Sequence, residues 1–333
     1  MKRKLRRIFY RTTGAFGSLM GMAFRFTPRL GYSIYRRCVS LGRRLSDRVS
    51  LWVDPFLTAF GKSLFDLRGR FPAKTKLFGK IKMELDISDK TQRSVFSQKC
   101  YETGFSRYII SLLKHGDVFV DIGANAGYFT VLSASLVGEK GRVLAVEPEL
   151  KNFNSLKRNV EINHYKNVIL HRGALGSSSG SLTLHINPLN HGGNSLLPFD
   201  RYKSGNKLFT KEEIASRFGS SQLSEKVSVT TLDSLIEKHQ IQKIAIMKID
   251  VEGFEKGVLL GAKKVLSSGI VQNVMCEVNN NETRQEVFDL FKKNGYQPHR
   301  LLFAGKPEKI SSDTDIARLH GNILFVKTEG KAR

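Results

Sequence analysis

Carboxylates in this 333-residue sequence recur where short apolar runs end. Asp121 directly precedes the turn Gly123-Ala-Asn-Ala-Gly127, Glu147 follows Arg142-Val-Leu-Ala-Val146, and Asp250 and Glu252 follow Ile244-Ala-Ile-Met-Lys-Ile249. Glu277 stands near the end of Val274-Met-Cys-Glu-Val278. A glycine turn opening a helix lets a ligand approach the backbone closely, and the helix start offers free N–H groups and a positive dipole. A dinucleotide would favour G-x-G-x-x-G, with its pyrophosphate on that helix end. Here Asn125 takes the middle glycine's place and Tyr128 the third. Asp121 would repel a pyrophosphate but suits the ammonium of an amino-acid-like ligand. Glu147 is placed to accept hydrogen bonds from ribose hydroxyls. Together Asp121, Gly123, Gly127 and Glu147 suit S-adenosylmethionine; the plainer alternative is a glycine turn flanked by two surface acids.

The elements that must hold these residues alternate regularly from Lys114 onward. Val118–Ile122, Arg142–Val146, Val168–His171, Ile244–Ile249 and Val274–Val278 read as strands, and His320–Val326 as a closing strand. Helices are expected over Tyr128–Val137, Asn152–Asn163, Phe254–Leu266 and Glu282–Lys293. Such alternation predicts an α/β fold, a doubly wound, Rossmann-like parallel sheet with helices on both faces. Ligands on these sheets bind beyond the carboxyl ends of the strands, where strand order reverses. Residues 177–231 break the rhythm and read as an insertion over the site, with a hairpin of Ser181–Ile186 and Asn194–Leu197; the loop His191-Gly-Gly-Asn-Ser195 and the insertion after it are expected to select the acceptor. Three segments follow: a basic extension over 1–80, a lead-in strand and helix over 81–115, and the catalytic-type domain over 116–333.

At this point the sequence resembles the FkbM-type methyltransferases. The matching pieces are VFVDIGANAGYFT at 118–130, VEP at 146–148, NFNSLKRNVEIN at 152–163, GAL at 173–175, VTTLDSL at 229–235, IMKIDVEGFE at 246–255 and HGNILFV at 320–326. The resemblance spans roughly residues 85 to 327. It implies a class I methyltransferase fold, S-adenosylmethionine as donor, and an acceptor hydroxyl on a sugar, glycolipid or polyketide. Carried over by position, Asp121, Gly123, Asn125, Gly127 and Glu147 would line the donor site, with Ala174 and Leu175 near the adenine.

Methyl transfer to a hydroxyl is an in-line displacement at a sulfonium carbon, so a protein must align the oxygen and take its proton. Asp250 and Glu252 are two apart and point the same way on an extended strand end. With Glu277 they form the expected catalytic set, as acceptor-orienting groups or base; His320 is a further candidate base. The local alternatives are a helix cap for Asp250 and a local hydrogen bond for His320. Three carboxylates could hold a divalent metal, but no spacing requires one and none is expected. The D-V-E-G strand end differs from the (N/D)-P-P-(Y/F) of nucleic-acid amino methyltransferases. Cys276 lies mid-strand after Met275, as an inert buried thiol does. Lys248, Asp250 and Glu277 partly resemble the charged set of ribose 2′-O-methyltransferases, which makes RNA ribose methylation the competing enzyme reading. The competing non-enzyme reading is a membrane adaptor that binds the donor without catalysis.

Net charge separates a leader from this body. Of 54 Lys+Arg and 30 Asp+Glu, residues 1–80 hold 19 basic and 3 acidic. Placed on a helix, Leu5, Ile8, Phe9, Phe16, Leu19 and Met20 share a side opposite most of the arginines. A basic amphipathic helix with aromatic residues reads as an element that lies on an anionic membrane surface. A mitochondrial presequence and a helical extension packed on the body are the alternatives. The apolar run Gly14–Phe24 is about half the ~20 residues a spanning helix needs. Three scattered cysteines suit a reducing compartment. The expectation is therefore an S-adenosylmethionine-dependent O-methyltransferase for a carbohydrate or glycolipid acceptor. It is expected to be cytoplasmic and docked on an anionic membrane through residues 1–50, with nucleic acid the less favoured partner and a mitochondrial location the alternative.

Overall fold

The computed structural model describes residues 73–86, 89–188, 190–198, 202–204, 207–218, 223–278, 283–310 and 321–328. The amphipathic helix expected in the leader and the candidate base His320 lie outside the described residues. A two-stranded sheet, β1 (Ala73–Leu77) and β2 (Ile81–Leu85), comes first, followed by α1 (Lys90–Gln98) and α2 (Thr103–Leu112). The expected boundary at residue 80 thus falls in the turn between β1 and β2. Contacts divide the chain into two compact units; the one that carries the sheets includes Lys74–Leu85, Asp89–Thr91 and everything from Lys99 onward.

Strand and helix then alternate through β3 (Val118–Ile122), α3 (Tyr128–Val137), β4 (Arg142–Glu147), α4 (Leu150–Glu161) and β5 (Val168–Arg172). An interlude holds β6 (Ala174–Leu175), β7 (Gly180–His185), a 3₁₀ turn (His191–Gly193), β8 (Tyr202–Ser204), β9 (Lys207–Phe209), α5 (Lys211–Phe218) and β10 (Ser224–Thr230). The chain resumes with α6 (Leu232–Lys238), β11 (Ile244–Ile249), α7 (Glu255–Leu260), α8 (Lys263–Ser267) and β12 (Val271–Val278). It closes with α9 (Arg284–Lys293), β13 (Tyr296–Leu301), β14 (Pro307–Lys309) and β15 (Gly321–Lys327).

The main sheet runs β14-β13-β15-β12-β11-β3-β4-β5. Its five strands from β12 to β5 are parallel, whereas β15 is antiparallel to both β12 and β13. The sheet is therefore mixed at one edge, where a parallel sheet was expected. The chain builds outward from β3 through β4 to β5, then returns to lay β11 on the other side of β3. That reversal puts the switch point at the adjoining ends of β3 and β11, the place where such folds bind ligands. Strands here are apolar on both faces, as buried parallel strands must be. Val120, Leu144, Met247, Ile249 and Val274 share one buried cluster with Phe291 and Phe325, whose rings stack at 3.9 Å.

Two local expectations differ from the structure. Gly180–His185 pairs along its length with Ser224–Thr230, and Ser195 meets His185 in a single bridge. The reason is burial: Leu184 and Ile186 pack with Val227, Val229 and Ala174 in a small second core. The helix expected over Phe254–Leu266 is two, broken at Gly261 and Ala262. A Cβ on Gly261 would lie 2.0 Å from the Gly176 carbonyl oxygen, so this close approach requires a glycine and interrupts the helix.

Candidate active site

The turn after β3 is held by its own contacts. Gly123 and Ala124 N–H donate to the Val146 carbonyl at 3.0 Å each, Asn125 N–H to Glu147 Oε2 at 2.8 Å, Ala126 N–H to Asn125 Oδ1 at 2.6 Å and Gly127 N–H to the Ala124 carbonyl at 2.8 Å. Every amide of the turn therefore already has an acceptor within the protein, and none of the five is left to cradle a phosphate. Gly123 (φ +80) does serve a close approach, but to this chain's own backbone: a Cβ there would lie 1.8 Å from the Asp250 carbonyl oxygen. Asn125 tolerates the left-handed φ of 51 that the turn imposes.

Asp121 lies beneath the turn, 1% exposed, and its Oδ2 accepts the Thr130 hydroxyl at 2.6 Å. Its other oxygen is buried without a partner. Burial raises its carboxyl and Lys248 opposes that. Glu147 is equally buried, and both its oxygens accept backbone amides, from Asn125 and from Glu149 at 3.0 Å. Burial pushes its carboxyl up to about 8, against those two hydrogen bonds. Beyond those two amides the carboxyl keeps hydrogen-bonding capacity for a ligand hydroxyl. Ala174 and Leu175 lie beside it, since Gly173 N–H donates to the Glu147 carbonyl at 3.3 Å. Both side chains are buried, Leu175 in the main core and Ala174 in the small one.

At the end of β11 the three expected carboxylates come together: Asp250, Glu252 and Glu277 each offer an oxygen within 4.8 Å of the others. Such a group could also hold a divalent cation. Lys248, 3% exposed, donates to Asp250 Oδ2 at 2.7 Å and sits 5.5 Å from the centre of the Phe129 ring. Burial would lower the Lys248 ammonium, but Asp250, Asp121 and Glu102 raise it, and the net direction is upward. Burial, Asp250 and Glu255 push Glu252 up to about 8; burial, Asp250 and Glu252 push Glu277 up to about 9. The cluster thus sets one carboxylate–ammonium pair beside two carboxyls whose hold on a proton is strengthened by burial and by neighbouring acids.

Asp250 does not cap the next helix: Phe254 is at the cap position, and Glu255 Oε1 accepts from Val251 N–H at 3.3 Å and Gly253 N–H at 3.0 Å. Glu252 has a left-handed φ of 52, and the Ser195 hydroxyl donates to its carbonyl at 2.8 Å. Burial drives the Cys276 thiol upward, as an inert thiol requires.

Four residues around the site, Glu102, Asn322, Tyr101 and Glu149, were not foreseen. Glu102, before α2, accepts Asn322 Nδ2 at 2.7 Å and is pushed up to about 7, chiefly by burial, with Lys248 opposing and Asp250 adding to the rise. Asn322 faces Glu277 across the β12–β15 register. Burial raises the Tyr101 hydroxyl, with Glu102 and Asp250 adding to it, and its ring meets Tyr128 edge-on at 6.0 Å. Glu149 Oε1 lies 2.9 Å from His191 Nδ1. No strand-end pattern marks any of these; the adjacent pair Tyr101-Glu102 before an apolar helix was the nearest signal.

S-adenosylmethionine carries an ammonium, a sulfonium, a carboxylate and a ribose, and no phosphate. Strand ends rich in carboxylates, with an unpartnered buried oxygen on Asp121, fit its cationic groups, and the acids at the end of β4 fit its ribose hydroxyls.

Comparison with known proteins agrees. Residues 121–298 match the Methyltransferase FkbM domain. The chain is 28% identical over 181 residues to Methyltransferase 1 of Beauveria bassiana, covering 54% of this chain and 68% of that protein. It is 27% identical over 173 residues to the hexuronic acid methyltransferase AglP of Haloferax volcanii, covering 52% of this chain and 60% of that one. Among solved structures it is similar to methyltransferase FkbM from Methylobacillus flagellatus, with a TM-score of 0.40 and 16% identity, covering 86% of this chain and 57% of the other. The chain thus spans just over half of that solved protein.

Proposed function

The chain belongs to the FkbM methyltransferase family, the S-adenosylmethionine-dependent methyltransferases, and from that premise we propose that it methylates a hydroxyl of a carbohydrate or glycolipid. The observation that carries the reading is the Lys248–Asp250 pair set among the proton-holding Glu252 and Glu277 at the switch point.

When bound, S-adenosylmethionine supplies a methyl carbon made electrophilic by its sulfonium. The protein's task is then to orient an oxygen and take a proton. Asp250, fixed by Lys248, accepts the hydrogen bond of the acceptor hydroxyl and would take its proton as that oxygen displaces S-adenosylhomocysteine from the methyl carbon. Glu252 and Glu277 carry O–H groups that donate to neighbouring oxygens, and a polyhydroxylated acceptor offers several such oxygens around the reacting one. The similarity to a hexuronic acid methyltransferase supports a sugar-type acceptor. The basic leader, with 19 basic and 3 acidic residues in 1–80, supports docking on the anionic cytoplasmic face of a membrane, near a lipid-linked acceptor.

Transfer of labelled methyl from S-adenosylmethionine into fractionated cell extract tests the acceptor class. Label in the glycolipid or polysaccharide fraction is expected. Label confined to RNA, released by nuclease, would overturn the carbohydrate reading.

A further inference from the structure

Glu149 has a carboxylate oxygen with nothing to bind. The residue is 4% exposed; Oε1 is occupied by His191 Nδ1 at 2.9 Å, and Oε2 is buried with no hydrogen-bond partner. Leaving such an atom dry is unfavourable, because burial removes water and nothing replaces it. Glu147, two residues earlier, differs: both of its oxygens accept backbone amides, one of them from Glu149 itself. Of the two acids at the end of β4, Glu149 therefore has the emptier acceptor.

The His191 turn is fastened at several points around this acid. His191 N–H donates to Asp89 Oδ2 at 3.0 Å, and Asn152 Nδ2 donates to the His191 carbonyl at 3.2 Å. A Cβ on Gly192 would lie 3.3 Å from Asn125 Nδ2, so the turn touches the glycine turn after β3. Asn125 N–H bonds Glu147, Glu147 bonds Glu149 N–H, and Glu149 bonds His191, whose neighbour Gly192 meets Asn125 again. The circuit is closed. It encircles the end of β4, the side of the donor site where ribose hydroxyls are expected. Asn152, 2% exposed, adds a second buried oxygen without a partner, Oδ1.

We propose that Glu149 accepts a hydrogen bond from a ribose hydroxyl of the donor through Oε2, and that His191 is the positioning residue that holds it there. The inference rests on the donor-site reading above. A neutral or protonated imidazole donating from Nδ1 to Oε1 fixes the carboxylate rotamer and turns Oε2 to the hydroxyl. Glu147 and Glu149 then share the sugar's two hydroxyls.

The test is binding of S-adenosylhomocysteine and its 2′-deoxy and 3′-deoxy analogues to the full-length protein, by titration calorimetry. In the wild type, one deoxy analogue should bind at least tenfold more weakly than the parent. Glu149→Gln keeps an oxygen for His191 but places an N–H where Oε2 was, so this preference should collapse through weaker parent binding. His191→Ala should reduce the preference, and His191→Asn, whose amide N–H replaces Nδ1–H, should restore it. A purely structural role would weaken parent and deoxy analogues alike and leave the ratio unchanged; that result overturns the proposal. Wild-type binding of parent and both deoxy analogues with equal affinity overturns it too. No binding of S-adenosylhomocysteine by the wild type would instead overturn the donor-site reading beneath it.

Discussion

Lys248 and Asp250, two residues apart where β11 ends, form an ion pair of 2.7 Å in which the lysine side chain is 3% exposed and the aspartate 22%. Glu102, Asp121, Glu252 and Glu277 stand around it, so the ammonium offsets a local excess of acid. Removing one partner of a buried pair leaves the other uncompensated and typically costs about 3–5 kcal/mol. Lys248→Met should therefore lower unfolding stability by about 3 kcal/mol in urea titration. A midpoint within error of the wild type would show that the pair does not hold the site together.

The raised carboxyls set a direction for stability against pH. Glu102, Glu147, Glu252 and Glu277 are pushed up to about 7, 8, 8 and 9, from an ordinary 4.5. Between about 4.5 and those values the unfolded chain has released protons that the folded chain still binds. Stability must fall as pH rises through that window. The melting temperature of the ligand-free protein should be higher near pH 5.5 than near pH 8.5, and Glu277→Gln should flatten the decline. A wild-type profile that rises with pH would contradict the assignment.

Gly123 joins the two strand ends that make the site. A Cβ there would meet the Asp250 carbonyl at 1.8 Å, and the backbone has φ +80. Gly123→Ala should destabilise by about 2 kcal/mol or more, through overlap and left-handed strain together. It should also weaken S-adenosylhomocysteine binding, since the turn must move off β11. An unchanged melting temperature would refute the close approach.

The leader makes a separate prediction. Deleting residues 1–50 should abolish binding to vesicles containing anionic lipid and leave S-adenosylhomocysteine affinity intact. Undiminished vesicle binding by the truncated protein would remove the membrane-docking role.

The parallel half of the sheet was legible because its strands are short, apolar and bounded by Gly, Pro or acids: Val118–Ile122 and Tyr128–Val137 were expected with the bounds observed. Of the antiparallel edge only β15 was, expected as His320–Val326 and found as Gly321–Lys327; β13 and β14 were not. β13, Tyr-Gln-Pro-His-Arg-Leu, carries little apolar alternation and is defined by pairing with β15. β10 was hidden in a polar stretch, although Val227 and Val229 alternate with serines as a half-buried strand does. The break at Gly261 depends on a contact with Gly176, far away in sequence. At the site, Asp250, Glu252 and Glu277 could be paired from strand ends alone. Glu102 and Glu149 could not, because neither follows an apolar run in the way those three do and only tertiary packing brings each to the site; His191 was legible only as part of a loop expected to select the acceptor.

In the function proposed above, Asp250 takes the proton of the acceptor hydroxyl. The most direct test of that step is methyl transfer by Asp250→Asn, using labelled S-adenosylmethionine and the extract fraction that the wild type labels, with S-adenosylhomocysteine affinity measured alongside. Loss of a general base typically costs about 10²–10⁴ in rate. A turnover at least a hundredfold lower, with donor affinity within about threefold of the wild type, is the predicted result. Transfer at the wild-type rate, with the donor bound as tightly, would contradict the account.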